Sequence, residues 1–420
     1  MNHARAAAVR VVQRLQDNGF VAYLAGGCVR DTLLGRPPKD FDVATNAEPD
    51  RIAELFTTSH AVGEAFGVQL VPVREGRQRF VVEVATFRTE WGYADGRRPT
   101  SIRFTDARHD AARRDFTING LFEDPLARSG QDPIIDFVEG RADLARGIVR
   151  AIGDPEQRFG EDYLRMLRAV RFAARFDFAI ESATRQAIMK HAAHLGRISA
   201  ERVGQETRAM LTPDADARTP RAVHLIQELH LDATLLGEPH AEPAIPTVDA
   251  LPDHADYPTV LAAWLLDRRT AEAGTSVCGS LSAPTAAAPL RQQLCLSNDH
   301  HDAVTSILAL AGRAVAWPTL TLAPRKRLVA DRRWPQAFCL LQAHLPHHDP
   351  TLDQCIMRDV EGLEGQEVAP DPLLRGEDLM AMGFEQGPAM GRLLAAVYDA
   401  QLEGHVANRE QAMQWLRDHG

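Results

Sequence analysis

The apolar residues of this chain change their spacing once, near Asp154, and that change limits the folds open to it. Before this point, short runs of β-branched residues alternate with turn signals, a pattern that is typical of an α/β unit. Beyond it the apolar spacing is helical, and Leu164, Leu167 and Val170 step by three along one predicted helix face. The sequence therefore predicts an α+β fold, in which a mixed sheet with helices is followed by an all-α remainder.

The first 150 residues are predicted to hold short strands and helices separated by turns. Gly26-Gly27 ends the first strand, and Gly35 ends the helix that follows. Residues 89–112 contain few aliphatic side chains, so we expect a long mobile loop there. The predicted strands span residues 21–24, 40–43, 68–73 and 80–87, and the predicted helices span 28–34 and a segment that starts at 47–50.

Length and charge narrow the class of protein. A chain of 420 residues predicts two or more domains. The formal net charge of −10 disfavours a protein that coats itself in nucleic acid. Arginines are nevertheless dense at 74–114 and 141–208, which leaves room for a local basic track. No apolar run is long enough to cross a bilayer, so a cytoplasmic protein is expected.

Two aspartates two positions apart, Asp40 and Asp42, give the strongest chemical signal. In a strand, side chains two positions apart share one face, so the two carboxylates would lie close together. Like charges held that close repel each other, and the repulsion is relieved when hard cations such as Mg²⁺ bind. Two such ions would lower the charge on an attacking hydroxyl and on a leaving pyrophosphate, which is the two-metal route to phosphoryl transfer.

The glycine pair Gly26-Gly27 fits the same chemistry. It lets the backbone approach a triphosphate, and the helix that follows would direct its N–H groups at the phosphates. Taken separately, an Asp-x-Asp triplet is usually a turn or a solvated surface, and a glycine pair is usually a turn. The order of strand, glycine pair, helix and paired acids favours a nucleotidyltransferase.

Five segments carry further motifs: LAGGCVRD at 24–31, KDFD at 39–42, EVATFR at 83–88, RRDFTIN at 113–119 and GEDYLRMLRAVRF at 160–172. In this order they resemble motifs of the bacterial and eukaryotic tRNA nucleotidyltransferase (class II, CCA-adding) and bacterial poly(A) polymerase family. The likeness is dense over roughly the first 210 residues and looser in the C-terminal helices. It implies a catalytic head of the polymerase-β type, followed by a helical neck, body and tail.

The resemblance also implies a role for each matching residue. Asp40 and Asp42 match metal-binding carboxylates. Glu83 is the candidate for a third acidic residue there, although a carboxylate on a strand face is about as often a solvated or salt-bridged structural group. Asp115 resembles the ribose contact. The full set matched to nucleotide binding is Gly26, Gly27, Arg30, Arg114, Asp115, Asp162, Arg165, Arg168 and Arg171.

Asp162 and Arg165 suggest how a base could be chosen without a template. Three positions apart on a predicted helix, they would project from one face. A carboxylate beside a guanidinium can imitate the Watson–Crick edge of a base, accepting from the amine of C or A and donating to its ring nitrogen. The alternative is an exposed salt bridge, worth about 0.3–0.5 kcal/mol. The resemblance favours base selection.

The same resemblance divides the chain into a head at 1–150, a base-reading neck at 151–212, a body at 213–365 and a tRNA-binding tail at 366–420. Weak joints are predicted at 237–258 and at 270–289, the latter as a low-complexity insertion in the body. In the tail, Gly387-Pro388 is expected to start a helix where a phosphate backbone could approach, although a simple helix-to-helix turn fits equally well.

The segment at 89–112 resembles a flexible family loop that helps the enzyme pass from adding C to adding A. Its aromatic and charged residues could stack on bases or grip phosphates, though a solvated loop would look similar. This loop favours a full CCA-adding enzyme over one that stops at CC. The residues concerned are Trp91, Tyr93, Asp95, Arg97 and Arg98.

Two other chemistries are not expected. The five cysteines are scattered and lack a CxxC pair, so we expect reduced thiols rather than disulfides or a zinc site. Some family members carry a phosphohydrolase domain built on a His-Asp dipeptide, but the dipeptides at 109–110, 301–302 and 348–349 lack a matching helical context. The helix predicted around residues 260–267 has an aspartate with no histidine before it, so no hydrolase domain is predicted.

The sequence thus predicts template-independent addition of C, C and A to the 3′ end of tRNA from CTP and ATP, with two Mg²⁺ ions and release of pyrophosphate. Expected partners are tRNA, CTP and ATP, without membrane or DNA, and the oligomeric state is left open. The nearest alternatives are a poly(A) polymerase and a partial CC- or A-adding enzyme. A catalytically dead RNA-binding protein and a nucleotidyltransferase for small molecules are the more distant ones.

Overall fold

The computed structural model describes residues 3–62, 67–91, 101–212, 219–273, 283–363, 365 and 367–419. This part of the chain forms two compact units. The first extends to Met210 and includes a later segment that ends at His240, whereas the second holds Leu211 and the chain from Ala241 onward. The boundary falls inside the joint predicted at 237–258. The finer division into head, neck, body and tail stays a prediction.

The strands of the described chain all lie in the first unit. They are β1 Ala22–Ala25, β2 Asp42–Thr45, β3 His60–Val62, β4 Val68–Glu75, β5 Gln78–Thr86, β6 Arg88–Trp91, β7 Ser101–Phe104, β8 Leu121–Glu123, β9 Ile134–Asp136, β10 Ile148–Val149 and β11 Ala179–Ile180. Seven form one sheet in the order β3-β4-β5-β2-β1-β8-β9. Since β2 and β5 are parallel and the other neighbours antiparallel, the sheet is mixed, as predicted.

The register of the central strands brings the chemically active segments to one edge of the sheet. β1 and β2 are antiparallel, and their last pair joins Ala25 to Asp42. The glycine pair that follows β1 therefore lies beside the acids at the start of β2. On the other side of β2, Val43 pairs with Val84 of β5, so Asp42 and Glu83 stand at the same level one residue earlier.

Helices surround this sheet and continue beyond it. The helices of the first unit are α1 His3–Asp17, α2 Gly27–Leu33, α3 Pro49–Leu55, α4 Ala107–Ala112, α5 Gly140–Arg146, α6 Pro155–Glu161, α7 Leu164–Phe176, α8 Ser182–His191, α9 Ala200–Leu211, α10 Thr219–Glu228 and α11 Asp232–Leu236. α1 packs on the sheet because Ala8, Val12 and Leu15 recur on one face and are fully buried. The face of α7 predicted to reach the core is buried at Leu164 and Leu167, which confirms the helical spacing.

The second unit, as described, is all helical. It comprises α12 Pro246–Asp249, α13 Tyr257–Ala273, α14 Ala283–Gln293, α15 Asn298–Ala314, α16 Leu322–Val329, α17 Trp334–His348, α18 Pro350–Leu363, α19 Gly376–Ala381, α20 Pro388–Leu402 and α21 Arg409–His419. α13, α15 and α17 pack against one another. α20 starts at the predicted Gly387-Pro388, with proline at its first turn. No helix within the described residues combines the length and apolar character needed to span a membrane.

Three local predictions are wrong. The strand predicted at 40–43 starts only at Asp42, because its partner β1 ends at Ala25 and leaves Asp40 without a strand to pair with. The stretch at 89–112 is not one loop, since β6 and β7 pair as a ribbon and α4 follows, capped by Asp106. The prediction of helices alone after residue 154 misses the short strand β11, which pairs with β10.

Two predicted segments, the loop at 89–112 and the low-complexity joint at 270–289, fall partly outside the described residues. Tyr93, Asp95, Arg97 and Arg98 lie outside them, and the side chain of Trp91 is not described either. Of the predicted joint at 270–289, helices α13 and α14 occupy the two ends, and residues 274–282 lie outside the described part.

Candidate active site

A cavity of about 690 Å³ in the first unit collects every site residue that the sequence predicted. It lies at the sheet edge where β1 ends and β2 begins, and α7 forms another wall. Residues more than 140 positions apart in the sequence thus line the same cavity. The predicted residues that line it are Gly26, Gly27, Arg30, Asp40, Asp42, Glu83, Arg114, Asp115, Asp162, Arg165, Arg168 and Arg171.

One side of the cavity is acidic. Asp42 is half-buried, while Asp40 and Glu83 are exposed to the cavity. Burial, with the charges of Asp40 and Glu83, raises the pKa of Asp42 to about 7, and Arg114 opposes this shift. The neighbours Val82 and Val84 are buried on the other face of β5, as alternation predicted for Glu83. The charges of Asp40 and Glu83 therefore act on Asp42 at this edge of the cavity, and a cation bound there would relieve the repulsion.

Gly26 lets Arg114 approach the acidic edge. Its φ is +73°, in the region that favours glycine, and a Cβ atom built there would lie 2.7 Å from Nη1 of Arg114. At Gly27 the nearest atom to such a Cβ is 3.6 Å away, on Arg30, which is an ordinary contact. Gly26 is thus required by the protein itself, whereas the missing side chain of Gly27 leaves space open towards the cavity.

Asp110 orients two neighbouring arginines, Arg113 and Arg114, of which only Arg114 was matched to nucleotide binding from the sequence. This carboxylate is almost fully buried. Its Oδ1 accepts a hydrogen bond from Nε of Arg113 at 2.9 Å, and its Oδ2 accepts from Nη2 of Arg114 at 3.1 Å. Sequence reasoning considered Asp110 only as part of a His-Asp dipeptide and missed this role. The signal was available, because Asp110 lies three and four positions before two arginines at the end of α4.

Arg30 is held by the residues around it. It is 5% exposed, and its guanidinium donates to Asp31 at 2.7 Å and to Oδ1 of Asn119 at 2.5 Å. The same group lies over the rings of Phe172 and Phe176, at 5.1 and 4.7 Å from their centroids. Burial lowers the pKa of Arg30, and Asp31 opposes that shift. The helix α2 that follows the glycine pair is therefore fastened to α7.

Asp115 connects the sheet to the arginines of α7. Its Oδ2 accepts from Nε of Arg168 at 2.8 Å, and its Oδ1 accepts from Nδ2 of Asn119 at 3.0 Å. Burial opposes the charged form, but Arg168, Asn119 and a backbone N–H lower the pKa of Asp115 to about 2. Glu206 of α9 extends the chain of charges, because it accepts from Nε of Arg171 at 2.7 Å. Both α7 arginines are thus fixed in direction.

Asp162 and Arg165 do not share one helix face, which corrects the prediction. α6 ends at Glu161 and α7 begins at Leu164, so Asp162 lies in extended conformation at the junction. Its Oδ1 accepts from the N–H of Leu164, the first residue of α7, at 3.1 Å. Asp162 forms an ion pair with Arg202 at 2.7 Å, whereas Arg165 pairs with Glu161. Both side chains still line the cavity.

The cavity is basic although the chain is acidic. Eight arginines and five carboxylates line it, and three of those carboxylates are gathered at the sheet edge. This arrangement fits a polyanion held by arginines with cations at one end. Sequence reasoning missed three of the lining arginines and one amide, because no role was matched to them in the motifs. These are Arg113, Arg175, Arg202 and Asn119.

The mixed sheet, the paired acids beside a glycine turn and the arginine wall define a nucleotidyltransferase. A family model described as the poly A polymerase head domain matches residues 22–150, and one described as a probable RNA and SrmB-binding site of polymerase A matches 177–242. The chain is 32% identical over 407 residues to the CCA-adding enzyme of Limosilactobacillus fermentum, covering 96% of this chain and 94% of that protein. The chain belongs to the CCA-adding enzyme family.

Other CCA-adding enzymes match part or nearly all of the chain. The CCA-adding enzyme of Geobacillus stearothermophilus is 41% identical over 231 residues, which span 55% of this chain and 54% of that protein. The crystal structure of the Bacillus stearothermophilus CCA-adding enzyme in complex with CTP matches with a TM-score of 0.74 at 29% identity, covering 100% of this chain and 98% of that one. The Thermotoga maritima CCA-adding enzyme complexed with tRNA shares the fold, with a TM-score of 0.64, 20% identity and coverage of 98% and 94%.

Proposed function

We propose that this protein adds C, C and A to the 3′ end of tRNA, using CTP and ATP and releasing pyrophosphate. The observation that carries the proposal is the meeting of twelve predicted residues in one cavity, acidic at the sheet edge and basic along α7. Family membership over nearly the whole chain supports it. A cytoplasmic location, where tRNA is processed in bacteria, belongs to the same proposal.

The acidic edge is suited to Mg²⁺. All three donors, Asp40, Asp42 and Glu83, are carboxylates, which are the ligands that hard cations prefer. Burial and, after it, the charges of Asp40 and Glu83 raise the pKa of Asp42, so a bound cation would stabilise its charged form. Mg²⁺ bound there, as two ions with Asp40 and Asp42 as ligands, would lower the charge on the attacking 3′ hydroxyl and on the leaving pyrophosphate. Asp42 pairs with Ala25 of β1 and Glu83 pairs with Leu70 of β4, so the strands position both carboxylates, whereas Asp40 precedes β2.

The triphosphate is proposed to lie along the glycine turn. Gly26 and Gly27 give the backbone room there, and Arg114 stands directly beside the turn. Asp110 holds this guanidinium, so little side-chain freedom is lost when phosphate binds. Arg30 donates a hydrogen bond to Asn119 and so links the glycine turn to the segment that carries Asn119. The chain's own residues thus bind and orient the nucleotide before the reaction.

The ribose and base are proposed to lie towards α7. Asp115 is the proposed ribose contact and also aligns Arg168. Asp162 and Arg165 can still read a base edge in spite of their ion pairs. A carboxylate has about four acceptor sites, and the described bonds of Arg165 use Nη1 alone. Arg171 and Arg202 hold neighbouring positions of the same wall.

The second unit is proposed to bind tRNA away from its acceptor end. Its final helices α19 to α21 share an apolar cluster that includes Leu379, Val397 and Leu416. Gly387 and Pro388 open α20, and an exposed helix start of this kind leaves backbone accessible to a phosphate. The tail is therefore proposed to be a rigid support for RNA contacts rather than a part of the reaction.

A nucleotide-addition assay tests the proposal. Purified protein is incubated with tRNA that lacks its terminal CCA, and with CTP alone, ATP alone or both. Three added residues followed by a stop establish CCA addition. A long A tail would establish a poly(A) polymerase instead, and a stop after two C residues, or addition of a single A only to tRNA ending in CC, would establish a partial enzyme. Absence of any addition by a protein that binds tRNA would indicate a catalytically dead RNA-binding protein.

A further inference from the structure

The second unit contains two histidines and an aspartate that the proposed reaction does not use. His344 and His348 lie one turn apart at the end of α17, and Asp267 lies on α13. One possible ligand atom from each of the three lies within 4.8 Å of the other two. The imidazole rings stack with their centroids 4.2 Å apart and an interplanar angle of 27°.

This cluster is buried and carries unused ring nitrogens. His344 is 0% exposed and Asp267 2%, while His348 is half-buried. Nε2 of His344 and Nε2 of His348 are both buried and lack a hydrogen-bond partner among the described residues. Buried polar atoms normally have a partner, because leaving one unsatisfied forfeits its bond to water. Two such nitrogens on one face of one helix call for a specific explanation.

The remaining polar atoms of the cluster are held in place from outside. Nδ1 of His344 lies 2.9 Å from Oγ1 of Thr247. When that ring nitrogen donates to the hydroxyl, the lone pair falls on Nε2. Asp267 accepts from the backbone N–H groups of Thr247 at 3.1 Å and of Val248 at 3.0 Å, and the hydroxyl of Thr247 also bonds to it, so about one of its four acceptor sites remains for a metal ion. Outer hydrogen bonds of this kind orient metal ligands in proteins.

We propose that Asp267, His344 and His348 bind one divalent transition-metal ion, and that Zn²⁺ fits the donor set. Two imidazole nitrogens and one carboxylate oxygen are ligands that zinc accepts, and a fourth position remains for water. Histidines four positions apart on a helix present both rings to one ion. Burial also favours the neutral imidazole, which is the form that ligates metal. The scattered cysteines predicted no zinc site. The site proposed here has histidine and aspartate ligands, which that prediction did not consider.

The ion would cross-link helices that are distant in sequence. Asp267 belongs to α13 and His344 and His348 to α17, and Thr247 adds α12 through its hydrogen bonds. Metal binding of this kind stabilises the folded state, since the unfolded chain offers no preformed site. The expected consequence is a zinc-dependent stability of the second unit, separate from nucleotide transfer.

The test is a zinc titration of the full chain after treatment with a chelator. The natural protein is compared with His348→Ala and with His347→Ala, a matched control because His347 is exposed on the same helix. We expect the natural protein and the control to bind one Zn²⁺ with equal affinity, and His348→Ala to bind at least tenfold more weakly. Zinc should raise the melting temperature of the first two proteins by several degrees and leave that of His348→Ala unchanged.

Two further variants separate this site from the others. The titration is repeated in Asp42→Asn, so that uptake at the acidic edge of the cavity cannot be mistaken for uptake at His348. Thr247→Val keeps the side-chain volume but removes the hydroxyl, and should weaken zinc binding about tenfold. Circular dichroism checks that each variant is folded.

Two outcomes would overturn the zinc proposal: equal zinc affinity in the natural protein and His348→Ala, or no stoichiometric zinc in Asp42→Asn. Neither outcome bears on CCA addition. His348→Ala is expected to add nucleotides normally with Mg²⁺, and a loss of addition in every variant, the natural protein included, would instead count against the proposed function.

Discussion

The backbone at Gly26 turns with φ of +73°, and any Cβ atom there would meet Nη1 of Arg114 at 2.7 Å. Gly26→Ala should therefore lose about 1 kcal/mol of unfolding free energy from the backbone alone. It should also displace Arg114 and raise KM for CTP about tenfold, the size of one lost charge-assisted hydrogen bond. Melting temperature and steady-state kinetics measure the two effects.

Gly35→Ala is the control for this substitution. Gly35 has φ of +69°, but a Cβ atom added there would meet no other atom within 4 Å. The same backbone strain is expected there, with no change in KM. Equal KM values in both variants would show that Arg114 does not need the space at Gly26.

Asp42 differs from the other acids in how strongly its surroundings act on it. Burial and the neighbouring carboxylates raise its pKa to about 7, so the charged form of Asp42 destabilises the folded state. Asp42→Asn should abolish nucleotide addition, by a factor of about a thousand or more, because a proposed metal ligand is lost. Its melting temperature without divalent metal should not fall. Single-turnover incorporation and thermal unfolding measure these effects, and the exposed Asp50→Asn is the control. An active Asp42→Asn variant would show that the assignment of Asp42 is wrong.

The junction between α6 and α7 is the element on which the proposed base selection depends. Arg202 of α9 holds Asp162 at this junction with an ion pair of 2.7 Å. Arg202→Ala should free the carboxylate and reduce discrimination between CTP and UTP about tenfold, while Arg202→Lys should restore part of it. The ratio of kcat/KM values for the two nucleotides measures this effect. Arg208→Ala, an exposed change on the same helix, should leave the ratio as it was.

Asp115 couples two elements electrostatically, and its contribution should depend on pH. Its folded pKa of about 2 lies below the unfolded value of about 3.9, so the charged form stabilises the fold by about 2–3 kcal/mol above pH 5. This stabilisation is lost as pH falls towards 2. Urea unfolding of Asp115→Asn should therefore show a deficit against the natural protein that is constant from pH 5 to 8 and shrinks from pH 4 to 2. Asp50→Asn, at an exposed position of the same unit, should show no such pattern.

The sequence predicted elements well wherever the apolar period was clear. Strands β1, β4 and β5 lie within about two residues of their predicted ends, and α7 buries the expected face. It failed where pairing or capping decides the structure. β6 and β7 pair through their backbones with little aliphatic content, and Asp162 lies in extended conformation between two helices instead of in one. The role of Asp110 was missed because it acts through other side chains rather than through a motif of its own.

At the scale of the whole molecule, the first unit is larger than its sheet. Arg30 rests on Phe172 and Phe176 of α7, and Asp115 pairs with Arg168 of the same helix. A fragment of residues 1–150 would leave the buried Asp115 without Arg168, and it would uncover the side of Arg30 that lies over the two rings. We expect that fragment to be unfolded or aggregated, and a fragment of residues 1–240 to fold and to bind CTP. Circular dichroism and CTP titration of both would decide, and a stable, CTP-binding 1–150 fragment would contradict the expectation.

The two phenylalanine rings beneath Arg30 also bear on how such proteins can be recombined. A catalytic sheet exchanged without α7 would lose the two phenylalanine rings that lie beneath Arg30. Chimeras joined just after residue 150 would thus combine Arg30 from one protein with α7 from another. A junction placed beyond residue 176 would keep Arg30 and both rings in the same piece. The natural unit of exchange is set by this aromatic stack rather than by the end of the sheet.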